Sequence, residues 1–291
     1  MHPAPSVIVF TVLSGAGFGL LAFLGLGAVA VTGWAALLLW GLGYALAGIG
    51  LLASAFHLGN PQRALRAFTQ WRTSWLSREA WAAVVSLALL APVALAAVFG
   101  AEPPAALGVL GALSCLVTIA ATSMIYTQLK TIPRWNFWTT PALFMGFALA
   151  AGAMLSGRAV LAALLCLALG LLLVAAFRLG DGRFAAVGAS LGSATGLGAV
   201  GSVRQFAPAH TGSNYLLREM IHDVGRKHAA RLRMIAVVAA GLLPAVILLV
   251  LPASVATVAL AALVHLAGAF AARWLFFAEA EHVVGLYYGR R

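Results

Sequence analysis

Apolar residues along this chain neither alternate with polar ones nor keep to one helical stripe. They run on for about twenty positions at a time, eight times over: Val7–Val31, Ala35–Phe56, Ala80–Phe99, Ala105–Tyr126, Thr139–Ser156, Ala159–Phe177, Met234–Leu251 and Ser254–Phe277. A bilayer core is about 30 Å thick and a helix rises about 1.5 Å per residue, so about 20 apolar residues cross it. A spanning β-barrel would alternate in polarity over segments of about ten residues, and none of these runs does. The pattern predicts an all-α integral membrane protein, one eight-helix bundle over residues 1–291 with a long loop at 178–233. Gly15 and Gly19, and Gly43 and Ala47, stand four apart, the spacing that lets helix backbones approach closely in lipid. Pro92 and Pro244 fall inside spans three and seven, where each is expected to kink its helix.

Composition sharpens the class. Of 291 residues, 63% are apolar and 9% charged, where a soluble domain carries about 25% charged; too little polar surface exists to coat a water-soluble particle. The net charge of +11 could suggest nucleic acid, but the basic residues lie in gaps between apolar runs, as at a membrane surface. No basic segment precedes the first run, whose 25 residues are too many for a signal core. Cys115 and Cys166 lie inside runs without metal spacing.

Eight spans put both termini and the loops 57–79, 127–138 and 178–233 on one side. That side holds 17 of the 18 basic residues, Arg273 counted among them, and the other holds Arg158. Positive residues are retained in the cytoplasm, so this face and both termini are expected there. Trp71, Trp75, Trp81, Trp135, Trp138 and Trp274 crowd the same side, as aromatic anchors do.

On the basic face, Asn60-Pro61 should stop the second helix, and Pro61 should open a short interfacial one carrying Leu65 and Phe68. Ser77 is a cap candidate for span three, and Ser213 or Thr211 for a helix carrying Tyr215, Arg218, Glu219, His222 and Asp223. The stretch Arg226–Arg233 suits anionic lipid or a cytoplasmic partner, and both readings stay open. Gly192, Gly196, Gly198 and Gly201 follow no strand and form no dinucleotide fingerprint.

An ionisable residue inside a span is a functional candidate, and none lies near the expected midplane except His265. That residue reads as a neutral, hydrogen-bonded histidine. No haem is expected, because His57, His265 and His282 sit at different depths, and no metal site is expected either. The absence of midplane carboxylates and of matching halves argues against a secondary transporter. His57 lies at the end of span two, beside the helix break. Imidazole titrates near about pH 6.5, and a quinone site needs an apolar slot with a proton-exchanging group at the carbonyl oxygen. His57 fits that need, with Glu79 able to pass protons to water; the plainer reading is an interfacial histidine bonded to a backbone carbonyl. Arg63, Trp71, Tyr126, Lys130 and Trp135 are site-lining candidates by position alone.

Several segments resemble the membrane anchor subunits of dimethyl sulfoxide reductase-type molybdoenzymes: Met1-His2-Pro3-Ala4, Phe10-Thr11, Gly15-Ala16-Gly17, His57-Leu58-Gly59-Asn60-Pro61-Gln62-Arg63-Ala64, Leu76-Ser77-Arg78-Glu79, Ile125-Tyr126 and Pro133-Arg134-Trp135. The resemblance implies eight helices without haem, a quinone (ubiquinone or menaquinone) as redox partner, and no catalytic centre in this chain. It also implies an iron–sulfur subunit and a molybdopterin catalytic subunit as partners. The positions that the family's motifs associate with quinol binding are His57 and Glu79 here. The beginning of the chain is most similar to membrane subunits of quinone-dependent sulfite dehydrogenases, which implies sulfite oxidation with quinone reduction. A quinol-oxidising anchor and a passive tether are the alternatives.

Overall fold

The computed structural model describes residues 2–56, 60–207, 212, 214–221 and 228–289. His57, Thr211, Ser213, His222, Asp223, Arg226 and Lys227 lie outside the described residues. The described residues form no strand. The main helices are α1 (Pro5–Gly25), α2 (Gly33–Ala55), α3 (Trp75–Phe99), α4 (Ala105–Thr127), α5 (Thr139–Leu155), α6 (Ala159–Ala186), α7 (Ala229–Val250) and α8 (Val255–Ala278). Seven are long and apolar enough to cross a membrane; α5, at 17 residues, is the shorter eighth.

Where helix ends differ from the apolar runs, local chemistry explains it. The first run extends to Val31, but α1 stops at Gly25 because Gly27 turns left-handed at φ 69° and the chain reverses. Helix α3 begins at Trp75, ahead of its apolar run, so Ser77 is a buried helix residue and not the cap; Ser74 holds that position. Helix α6 runs on to Ala186 and carries Arg178, Asp181 and Arg183 clear of its apolar stretch. Pro61 opens a 3₁₀ helix, Pro61–Phe68.

Helix α1 is the centre of the bundle, packed against α2, α4, α5 and α8. Close approach is built on small residues. A methyl added at Gly17 would strike the backbone of Ala47 and Gly43, at Gly19 the carbonyl of Ala148, and at Gly25 the Gly108 carbonyl at 2.7 Å. Gly15 has open space, so of the Gly15–Gly19 pair only Gly19 sits at a close approach, while Gly43 and Ala47 of α2 both meet Gly17. In α7, residues Val238–Leu242 form a π-helical turn ahead of Pro244. Proline has no N–H for the carbonyl four residues back, Ala240, and His265 Nδ1 lies 2.8 Å from that oxygen. The histidine is 2% exposed and hydrogen-bonded to backbone.

The helix ends assigned to the basic side are tied together. His2 N–H donates to Glu219 O (2.8 Å), Val283 N–H to Thr131 O (3.0 Å) and Gln205 Nε2 to Tyr287 O (3.0 Å). His282 caps the 3₁₀ turn Val283–Tyr288 by accepting from Val284 N–H at 3.0 Å, and burial holds its imidazole below the ordinary range.

Candidate functional site

Burial face by face brings charged and polar groups to one depth. Buried positions of α3 fall at Glu79, Ala83, Ser86 and Leu90, those of α4 at Cys115, Thr118, Thr122 and Tyr126, and those of α8 at His265, Ala269 and Arg273. Each series advances three or four residues at a time, the period of one inward helix face. Glu79, Thr122, Phe144, Arg273 and Thr11 lie four to six residues inside the basic-side ends of their helices. At about 1.5 Å per residue this is a polar layer about 6–9 Å beneath that face.

Glu79 is 4% exposed. Thr122 Oγ1 lies 2.5 Å from its Oε1 and 3.0 Å from the Thr118 carbonyl. A hydroxyl has one hydrogen, so the geometry admits two arrangements. Thr122 donates to an ionised Glu79, or a protonated Glu79 donates to Thr122, which turns its hydrogen to Thr118. Glu79 keeps a hydrogen bond in either state, as a group that takes up and releases a proton requires. Deeper along the same seam, Ser86 bonds Ser114 at 2.9 Å and lies 3.1 Å from Thr118 Oγ1, tying α3 to α4 through hydroxyls.

Tyr126, one turn beyond Thr122, lies within electrostatic range of both Glu79 and Arg273. It packs edge-on to Trp135 (5.3 Å), Phe276 (5.4 Å) and Phe277 (5.7 Å). Trp135 stacks on Phe276 at 5.0 Å and donates its indole N–H to the Phe276 carbonyl at 2.8 Å. At 2% exposed it is a core residue, not the headgroup anchor expected of it; Trp71, Trp81 and Trp138 are the exposed ones.

The place of Arg273 near the end of an apolar run assigns it to the solvent side. The structure instead buries it at 5% exposed, its guanidinium 3.7 Å from the centroid of Phe144 and 5.5 Å from that of Phe276. The readable signal is its spacing on α8, eight residues after His265 on the same face. The count of basic residues still favours the same side without it.

The structure therefore brings Glu79, Tyr126 and Trp135 into or beside one layer. Arg63 and Lys130 are exposed, and Trp71 lines an open recess with Phe68, Thr69, Arg78 and Trp81. At the face itself, Asp181 of α6 and Glu279 after α8 hold Arg134 and Arg233 in a four-membered ion-pair cluster. Among the described residues no group of three or more His, Cys, Asp or Glu could hold a metal ion.

No solved structure matches the chain. A sulfite dehydrogenase subunit of Allochromatium vinosum is 32% identical to it over 99% of each chain. Residues 1–289 match the family described as DMSO reductase anchor subunit (DmsC). A helical bundle with a basic face and a buried polar layer beneath it, matched over essentially its whole length, belongs to the DMSO reductase anchor subunit family.

Proposed function

We propose that this chain is the quinone-reacting membrane anchor of a molybdenum–iron–sulfur oxidoreductase. It crosses the bacterial cytoplasmic membrane as eight helices, with both termini and the basic face in the cytoplasm. A cytoplasmic iron–sulfur subunit docks on that face and carries electrons from a molybdopterin subunit. The similarity of the whole chain to a subunit of a sulfite dehydrogenase supports sulfite as the donor. Sulfite and water then give sulfate, two protons and two electrons, and quinone takes two electrons and two protons to become quinol. The membrane subunit binds the quinone close under the basic face, with His57 and Glu79 exchanging protons at its oxygens.

The observation that carries this reading is the buried Glu79–Thr122 pair, 2.5 Å apart in the layer beneath the basic face. A carboxyl there costs stability and is a functional candidate for that reason, and a proton relay is the use its two hydrogen-bonding arrangements fit. The test uses the intact three-subunit complex. Glu79→Gln should lower sulfite-driven reduction of a short-chain quinone by roughly a hundredfold, within the range general acid–base groups contribute. The rate with an artificial acceptor that takes electrons from the iron–sulfur subunit should be unchanged. A wild-type quinone rate in both Glu79→Gln and His57→Ala would leave the chain a passive tether.

A further inference from the structure

Arg273 is the feature of the polar layer that the proton relay does not use. Its side chain lies inside the bundle, and among the described residues it makes no ion pair and no hydrogen bond. Its contacts are the rings of Phe144, Phe147 and Phe276. Two cavities meet at it. The inner, about 20 Å³, is also lined by Thr122, Thr11 and His265; the outer, about 40 Å³, is lined by Arg134, Glu279 and Thr140. Spaces of this size have room for one to a few waters, the acceptors that a guanidinium without a protein partner requires. A benzene-sized ring needs a cavity of about 150 Å³, well above either space, so the quinone ring does not sit against Arg273 in this arrangement.

A guanidinium stays charged even when buried, and an unpaired cation in a low-dielectric interior is costly. Phenyl faces recover part of that cost. What remains is a fixed positive charge inside the bundle, beside two water-sized cavities and within electrostatic range of Tyr126. Such a charge stabilises negative charge that develops nearby, without reorganising when it appears.

We propose that Arg273 is a positioning residue for quinone reduction: it acts through its field, compensating the negative charge that two electrons bring to the quinone oxygens before two protons arrive. This role rests on the chain being quinone-reacting. Electrons come from the iron–sulfur subunit and protons through the Glu79 relay; Arg273 gives up neither.

The experiment compares Arg273→Gln and Arg273→Lys in the intact complex with Glu79→Gln. Redox titration of the complex-bound quinone should move to lower potential in Arg273→Gln and stay near wild type in Arg273→Lys. In parallel, kcat with a short-chain quinone should fall roughly ten- to a hundredfold in Arg273→Gln, with KM nearly unchanged because the contact surface is intact. Arg273→Lys should restore most of the rate, and the artificial-acceptor rate should not change. Removing a buried unpaired charge should not lower thermal stability. Should Arg273→Gln fail to assemble, Arg273→Met, of similar volume and apolar, carries the same expectation. An unmoved potential and rate in the neutral variant, with Glu79→Gln impaired, would overturn the role of Arg273 and leave the quinone reading standing. A complex in which no variant is impaired and from which no quinone can be extracted would overturn the quinone reading itself.

Discussion

The ion-pair cluster at the basic face offers a direct test of how burial grades electrostatic stability. Glu279 and Asp181 hold the same two arginines but differ in exposure, with side chains 5% and 48% exposed. Glu279 Oε1 lies 2.6 Å from Arg233 Nε, and Oε2 lies 3.2 Å from Arg134 Nη1. Asp181 accepts from Arg233 at 2.6 and 2.8 Å and also pairs with Arg134. Removing one partner of a fully buried pair costs about 3–5 kcal/mol, whereas exposed pairs contribute about 0–1 kcal/mol. The arginine side chains are 17% and 27% exposed and keep Asp181 when Glu279 is lost. The upper figure is therefore discounted: Glu279→Ala is expected to cost about 2–3 kcal/mol and Asp181→Ala less than about 1 kcal/mol. Added salt should shrink only the Asp181 effect. Reversible unfolding of the purified protein in mixed micelles, titrated with denaturing detergent, measures both. If Asp181→Ala cost as much as Glu279→Ala, burial would not be the variable that sets the strength of this cluster.

Two further predictions concern packing. Gly19→Val forces a side chain into the Ala148 carbonyl across the α1–α5 contact, where only backbone is available to yield. It should cost about 1–3 kcal/mol or more in the same unfolding titration, while Gly15→Val, in open space, should be nearly neutral. His265→Ala leaves the Ala240 carbonyl without its side-chain donor and should cost about 1–3 kcal/mol. In a double-mutant cycle, Pro244→Ala restores a backbone N–H four residues on and should recover part of that loss; strictly additive effects would mean that the histidine does not serve that carbonyl.

The apolar runs make the helical class legible, because lipid leaves a backbone few ways to satisfy its own hydrogen bonds. Helix ends are less so. The polar start of α3 and the charged end of α6 lie outside their apolar runs, where propensity and caps decide the boundary. Glu79 can be named from its motif, but its partner Thr122 cannot, since a threonine inside a run carries no mark of what it faces. Arg273 misleads for a related reason. Near the end of a span a basic side chain usually reaches outward to water, and only the inward face it shares with His265 says otherwise. Trp135 resembles an anchor because tryptophan beside a span usually is one; its indole instead meets a carbonyl that α8 supplies across the bundle.

The two halves of the bundle differ in a way that bears on where protons can enter. Towards the far side α1 is sealed by backbone contact, with Gly25 against Gly108 and Gly19 against Ala148 and Gly152, among the buried Leu20, Leu21, Leu24 and Met154. Close-packed apolar side chains and touching backbones leave no room for a chain of waters. On the basic side of Glu79, Thr122 and Arg273 stand the outer water-sized cavity and then the ion-pair cluster, while the inner cavity reaches back towards Phe18 and His265. On the proposed reading, a carboxyl in that layer exchanges protons with the basic face more readily than with the other. On the proposed reading, protons released by sulfite oxidation and protons consumed by quinone reduction then belong to the same compartment. Electrons enter from that side as well, so the chemistry proceeds without moving net charge across the membrane. On that reading the asymmetry of packing, more than any single residue, keeps electron delivery and proton exchange on one side of the anchor.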